Sequence, residues 1–188
     1  MDFSDLPALR TPRLVLRKLE KKDLRFYYQR LFSSPKVAQY MLWQPHREIS
    51  QSAAALEKVL KRYEAGTCCR WAIALNQDDS LIGILELLRF DPVDNTCSFA
   101  YMLGEDFWGQ GYGTEALEAA FHFAFTELGV SAIEVDHFAE NAASGAVMRK
   151  AGMRYLRTIP GKYEKQGVRH DAMEYRITRE EWQEKPRC

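Results

Sequence analysis

Three alternate glycines in Phe107-Trp108-Gly109-Gln110-Gly111-Tyr112-Gly113-Thr114-Glu115 are spaced to bring backbone N–H groups close to an anion. Glycine tolerates the left-handed turns this requires, and the N–H groups left over at a helix start lie at the positive end of its dipole. Upstream, Cys97, Phe99, Tyr101 and Leu103 recur at period two; downstream, Leu117, Phe121, Ala124 and Leu128 recur at helical spacing. A strand enters the run and a helix leaves it. The spacing matches neither G-x-G-x-x-G nor the P-loop with its Lys-Ser/Thr; the position of the run, after a strand and before a helix, favours a phosphate cradle over an empty turn. A second polar group, Asn141-Ala142-Ala143-Ser144, follows the next strand, with Asn141 as helix N-cap and Ser144 at N3. At the end of an open α/β sheet both side chains would also face a ligand. Glu86 lies in a strand that is apolar on both faces, where desolvation favours a proton acceptor unless cations or donors hold the carboxylate. An ion pair to a residue such as Arg89, or a rim position, is the structural alternative. His137, at a strand end, is the other titratable candidate.

The elements that must position these groups can be read in order. Arg13-Leu14-Val15-Leu16-Arg17 reads as a first strand with Pro12 at its edge, and Asp23 as the cap of a helix bearing Leu24, Tyr27, Tyr28 and Leu31. Ser33-Ser34-Pro35 stops that helix. An aromatic loop with Tyr40, Met41, Trp43 and His46 follows, then a helix carrying Leu56, Val59, Leu60 and Tyr63 to Gly66. Tyr40 and Trp43 serve equally as pocket lining or as core filling. Residues 71–75 and 81–90 read as a β-hairpin, residues 96–103 as the strand before the glycine loop, 114–128 as the helix after it, and 132–137 as a further strand. The helix opened by Asn141 packs Val147, Met148 and Ala151 inward and ends at Gly152. Residues 153–159 and 169–177 read as a closing β pair around Pro160-Gly161-Lys162. Strand and helix alternate in the middle, so parallel pairing is expected there and hairpins on either side.

Composition bounds the function. A chain of 188 residues reads as one domain, 1–188, able to bury roughly 70% of its unfolded surface without disulfide or metal. Lys plus Arg and Asp plus Glu both number 26, so no net field draws nucleic acid or an anionic membrane. Cys68, Cys69, Cys97 and Cys188 form no C-x-x-C pair, which suits reduced thiols in a cytoplasmic protein. The acidic start, Met1-Asp2-Phe3-Ser4-Asp5, lacks a secretory pattern, and no run is long enough to span a bilayer. A phosphate-ester enzyme would need Lys or paired carboxylates for Mg²⁺ beside the loop, where only Glu105, Asp106 and Glu115 stand.

Together, Thr11-Pro12-Arg13-Leu14-x-Leu16-Arg17, Ile82-Gly83, the run from Trp108 to Ala116, Asn141-x-x-Ser144, Lys150-x-Gly152-Met153, Asp171 and Glu181-Trp182 carry a resemblance covering nearly the whole chain. The chain resembles the GCN5-related N-acetyltransferase superfamily, and within it the branch typified by ribosomal-protein N-terminal acetyltransferases. The resemblance implies an α/β, acyl-CoA N-acyltransferase-like fold. Its central sheet would be mixed and mostly antiparallel, of about seven strands, splayed in the middle and flanked by about four helices. Acetyl-coenzyme A would enter between the strand at 98–103 and that at 132–137. The backbone of Met102 and Leu103 would meet the pantetheine, and the N–H groups of Gln110, Gly111, Tyr112, Gly113 and Thr114 would hold the pyrophosphate. Asn141 would reach the pantetheine arm and Ser144 the sulfur. Two positions depart from the pattern: Trp108 stands where Arg or Gln is common, and Ser98 where relatives often carry a carboxylate.

The implied reaction transfers acetyl from acetyl-CoA to a primary amine, a protein N-terminus or a small molecule, by direct attack in a ternary complex. An alkyl amine of pKa about 10 must first lose a proton. Glu86 is the first candidate to take it and His137 the second, while Ser144 would protonate the departing thiolate. Tyr40, Trp43, Glu86 and Tyr101 are expected around the acceptor. No metal is expected, and the protein would act as a monomer or homodimer. A non-catalytic acyl-CoA sensor on the same fold is the alternative, separated by tight binding without thiol release.

Overall fold

The structure, a computed structural model, describes residues 2–184. Its strands are β1 (Leu9–Arg10), β2 (Leu14–Arg17), β3 (Arg70–Leu75), β4 (Leu81–Asp91), β5 (Thr96–Leu103), β6 (Ala132–Phe138), β7 (Arg154–Lys165) and β8 (Val168–Thr178). The helices are α1 (Leu24–Phe26), α2 (Pro35–Ala38), α3 (Ile49–Glu64), α4 (Tyr112–Thr126), α5 (Ala142–Lys150) and α6 (Arg179–Glu184). The strands form one mixed, mostly antiparallel sheet in the order β1-β2-β3-β4-β5-β6-β8-β7. The extra strand, β1, is two residues long, and α2 and α6 are four and six, too short to leave a period in the sequence. The chain folds as two compact units, Met1–Glu86 with Tyr101–Ala116, and Leu87–Ala100 with Leu117–Cys188.

In the first unit the core comprises Leu14, Leu16, Tyr27, Leu31, Trp71, Ile73, Leu81 and Ile82, all buried. Thr11, Pro12 and Arg13 form a turn between β1 and β2, with the Thr11 N–H bonded to the Leu14 carbonyl at 2.9 Å, so Arg13 leaves the strand. Asp23 stands at the N-cap position of α1, though its side chain makes no cap bond there; it also closes a 3-10 turn, Lys21–Asp23, that precedes the helix. Glu20 caps that turn, and Asp23 completes a capping box from its third position while gripping the Arg17 guanidinium through both oxygens at 2.9 Å. The helix after it is short and then widens into a π-helical turn at Tyr27–Phe32, which buries Tyr27, Leu31 and Phe32. In α3, Leu56, Val59 and Tyr63 occupy the buried stripe as their spacing requires. The β3–β4 hairpin sets Arg70 opposite Glu86 and Ala72 opposite Ile84.

Gly83 is demanded by close approach. A Cβ there would stand 2.5 Å from the Met102 carbonyl oxygen and 2.5 Å from Leu103 Cδ2, so β4 and the end of β5 meet where only a hydrogen fits.

In the second unit Phe99, Phe121, Ala124, Phe125, Val135, Tyr175 and Ile177 form the core. The parallel register of β5 with β6 joins Thr96 to Ala132 and Cys97 to Ile133, at the start of both strands. On its other side β6 pairs with β8 along its length, from Ala132↔Thr178 to Phe138↔Ala172. The closing hairpin is longer than expected. Its turn is Gln166-Gly167, with φ of 54° and 78°, the geometry of a two-residue primed turn. Pro160-Gly161-Lys162 is instead an irregularity inside β7, where the register shifts between Ile159 and Tyr163 and Asp171 Oδ1 accepts the Gly161 N–H at 2.8 Å. Proline cannot donate to the ladder, so the strand bulges there and continues.

Candidate active site

The glycine loop belongs to the first unit, and backbone geometry accounts for two of its three glycines. Gly109 and Gly111 adopt φ of 73° and 85°, left-handed values that a side chain strains to reach, whereas Gly113 already lies in α4. The helix therefore starts at Tyr112, two residues earlier than its apolar period suggests. Its first ladder bond runs from the Glu115 N–H to the Gly111 carbonyl at 3.1 Å, and helix geometry leaves the N–H groups of Tyr112, Gly113 and Thr114 without an intrahelical acceptor.

Three side chains of the run are held by hydrogen bonds of their own. Trp108 donates its indole N–H to the Leu103 carbonyl at 2.8 Å, and Gln110 donates Nε2 to the Asp106 carbonyl at 2.7 Å. Glu115, whose carboxylate would oppose an anion at this helix start, accepts from the Thr11 hydroxyl at 2.6 Å, the Arg13 N–H at 2.9 Å and Arg13 Nε at 2.7 Å. Burial pushes its carboxyl up, but the Thr11 and Arg13 bonds outweigh that and hold it below the usual range. The loop thus leads into a helix start whose first-turn carboxylate, Glu115, is paired with Arg13, which fits a pyrophosphate.

Glu86 also belongs to the first unit, with a side chain 14% exposed. It has two cationic partners: Arg70, across the hairpin in a close hydrogen bond, and Arg62 at 3.4 Å. Arg89 pairs elsewhere, with Glu134 at 3.7 Å. In the same unit Trp43 stacks on Phe32 at 4.7 Å, Phe32 on Tyr27 at 4.3 Å, and His46 on Phe32 at 5.0 Å, so Trp43 ends an aromatic stack, half-buried. Tyr40, Tyr101 and Met102 are half-buried and Leu103 is buried.

The second unit carries the remaining candidates. Asn141 Oδ1 accepts the Ser144 N–H at 3.2 Å, so the cap is real and Ser144 stands at the third position of α5. The cap uses only the amide oxygen. His137 is 6% exposed; its Nδ1 donates to the Phe138 carbonyl at 2.7 Å and its ring stacks on Tyr175. Nε2 has no hydrogen-bond partner among the described residues and faces Gly145, where a Cβ would stand 2.8 Å away. His137 thus lies near the end of β6 with Gly145 of α5 against its ring.

Burial pushes the His137 imidazole down from its ordinary value. The unfolded chain then takes up the proton first, so this contribution to stability is intact above about pH 6.5 and lost as pH falls below it. His137→Gln is expected to flatten the stability loss between pH 7 and 5.5, by up to about 1.4 kcal/mol per pH unit, in urea unfolding at both values. Parallel losses in parent and variant would contradict a neutral, buried His137.

Arg13 and Arg70 were not singled out by their own local patterns. Counting back through the β3–β4 hairpin sets Arg70 opposite Glu86, so that signal existed. Nothing local could pair Arg13 with Glu115, 102 positions away.

Residues 13–154 match the model of the acetyltransferase (GNAT) domain family, and the chain belongs to that family. It is an acyltransferase with acetyl-CoA as cosubstrate. The uncharacterized N-acetyltransferase p20 of Bacillus licheniformis is 30% identical over 139 residues, 74% of this chain and 78% of that protein. Among solved structures, spermidine N-acetyltransferase from Vibrio cholerae in complex with CoA and spermine is similar with a TM-score of 0.77 and 20% identity, over 92% of this chain and 99% of that one. RimL, a ribosomal L7/L12 alpha-N-protein acetyltransferase in complex with coenzyme A, is similar with a TM-score of 0.79 and 18% identity, over 92% and 98%. Among the described residues, no helix is long and apolar enough to cross a membrane and no group of three or more His, Cys, Asp or Glu could hold a metal ion.

Proposed function

We propose that this protein acetylates the nitrogen of a primary amine, on a small molecule or at a protein N-terminus, by direct attack on acetyl-CoA. The observation that carries the reading is the glycine loop, with two left-handed glycines at the start of α4 and Glu115 held by Thr11 and Arg13. Acetyl-CoA supplies a thioester whose carbonyl carbon accepts the amine. A C–N bond forms, the C–S bond breaks, one amine proton passes to a base and the thiolate takes up a proton.

The N–H groups from Gln110 to Thr114 would hold the pyrophosphate, and the backbone of Met102 and Leu103, with Asn141, would hold the pantetheine. Ser144 would protonate the sulfur and Glu86 would take the amine proton, directly or through water. Tyr40, Trp43 and Tyr101 would flank the acceptor. Direct attack is favoured over an acetylated cysteine: Cys68, Cys69 and Cys97 are buried, and burial pushes the Cys97 thiol up to about 12. Both kinds of acceptor find support in relatives, one a spermidine acetyltransferase and one acting on a ribosomal protein N-terminus.

Free-thiol release against a panel of polyamines, amino acids and peptides with free N-termini is the test; no release with any amine would sink the reading. For the base, Glu86→Gln is expected to lower the rate on the order of a hundredfold at pH 7 with acetyl-CoA affinity kept. Above about pH 9.5, where amines need less help to lose a proton, the gap should narrow. A deficit independent of pH would make Glu86 a structural partner of Arg70.

A further inference from the structure

We propose that Arg13 is a ligand of the cofactor's pyrophosphate, supplying from the β1–β2 turn the cation that the loop lacks at Trp108. The inference rests on the glycine-loop reading above and assigns a further residue to it. Two bonds fix the guanidinium, Nε to Glu115 at 2.7 Å and Nη1 to the Gln110 carbonyl at 2.9 Å, and the backbone N–H of Arg13 adds a third to Glu115 at 2.9 Å. The guanidinium also lies over the Tyr112 ring, 4.4 Å from its centroid.

Those contacts occupy Nε and part of Nη1. Nη2 lies 3.3 Å from where a Cβ on Gly111 would stand, so its donors sit beside the left-handed residue that opens α4. The side chain is 46% exposed despite these anchors, which leaves that end open to a ligand. A planar guanidinium held at Nε and Nη1 keeps little rotamer entropy to lose, so a phosphate oxygen meeting Nη2 gains a charge-assisted bond at low ordering cost. Arg13 has a second effect. It offsets the Glu115 carboxylate at the end of the helix that would receive the anion.

Calorimetric titration of the unaltered protein and of Arg13→Gln with acetyl-CoA, 3′-dephospho-CoA and acetyl-pantetheine tests this. The variant is expected to bind acetyl-CoA and 3′-dephospho-CoA about tenfold more weakly, with a shallower salt dependence, and acetyl-pantetheine within twofold of the parent. Equal weakening for all three ligands, or for none, would overturn the proposal. A defect that vanishes with 3′-dephospho-CoA would also overturn it, by moving the contact to the 3′-phosphate. The double change Arg13→Gln with Glu115→Gln separates contact from neutralisation: binding should stay weak, and full recovery would reduce Arg13 to a shield. Should Arg13→Gln not fold, Arg13→Lys takes its place, with a smaller phosphate-selective loss expected and an unselective one overturning the idea. Failure of the unaltered protein to prefer acetyl-CoA over acetyl-pantetheine would count against the glycine-loop reading itself.

Discussion

Gly111→Val should weaken acetyl-CoA binding by at least on the order of tenfold while the protein stays folded. Gly111 holds φ at 85°, and a β-branched residue forced there costs about 1–3 kcal/mol of backbone strain. The new side chain also meets Arg13 Nη2 at 3.3 Å from its Cβ alone. Both costs are relieved if the loop turns out of its present conformation, and doing so misaims the N–H groups at the start of α4. Affinity is then lost where the anion is held, with little effect on a core that Gly111 does not enter. Calorimetry with acetyl-CoA, beside a thermal melt, separates the two. Gly109→Val is the internal comparison: φ is 73° there too, but a Cβ would meet nothing within 4 Å, so only strain is added and a smaller loss is expected. Unchanged affinity in Gly111→Val would remove the loop from the binding site.

Gly83→Ala should have the largest effect on stability, about 2–4 kcal/mol, or roughly 5–15 °C in melting temperature for a chain of this size. Its Cβ would stand 2.5 Å from a backbone oxygen, that of Met102, and 2.5 Å from Leu103 Cδ2, with Ile73 Cδ1 at 3.2 Å. A flexible side chain can step aside; a strand backbone moves only by disturbing its neighbours, here the bond from the Gly104 N–H to the Ile82 carbonyl at 2.8 Å. The same shift displaces Met102 and Leu103, so acetyl-CoA affinity should fall as well. A melt within about 2 °C of the parent would show that β4 and β5 part more easily than their packing implies.

These two glycines differ in how far the sequence discloses them. Gly111 announces itself, because alternate glycines between a period-two run and a helical run state a local need. Gly83 sits in an apolar strand, and no local pattern says that another strand's carbonyl lies 2.5 Å from its missing Cβ. The elements behave likewise. The stripe of α3, the Asn141 cap and the β3–β4 hairpin follow from spacing within a few residues, and the structure contains them. The turn of the closing hairpin was misplaced because Pro160-Gly161-Lys162 has turn-like composition, while Gln166 adopts a left-handed φ of 54° that its residue type does not advertise.

Sequence alone determined what is short-range in this protein: the longer strands and helices, the left-handed glycines of the loop, and the helix that starts behind them. Tertiary structure decided the electrical state of the site. Glu86 could be a lone carboxylate or a partner of cations until the β3–β4 register set it across from Arg70. His137 had no evident degree of burial until Gly145 of α5 packed on its ring. Arg13 was one cation among 26 Lys and Arg residues until a turn 102 positions upstream of Glu115 brought it over the glycine loop. Backbone preference acts over a few residues, so sequence spacing expresses it. Charge pairing and burial act through space between residues far apart in the chain, and only the folded chain brings them together.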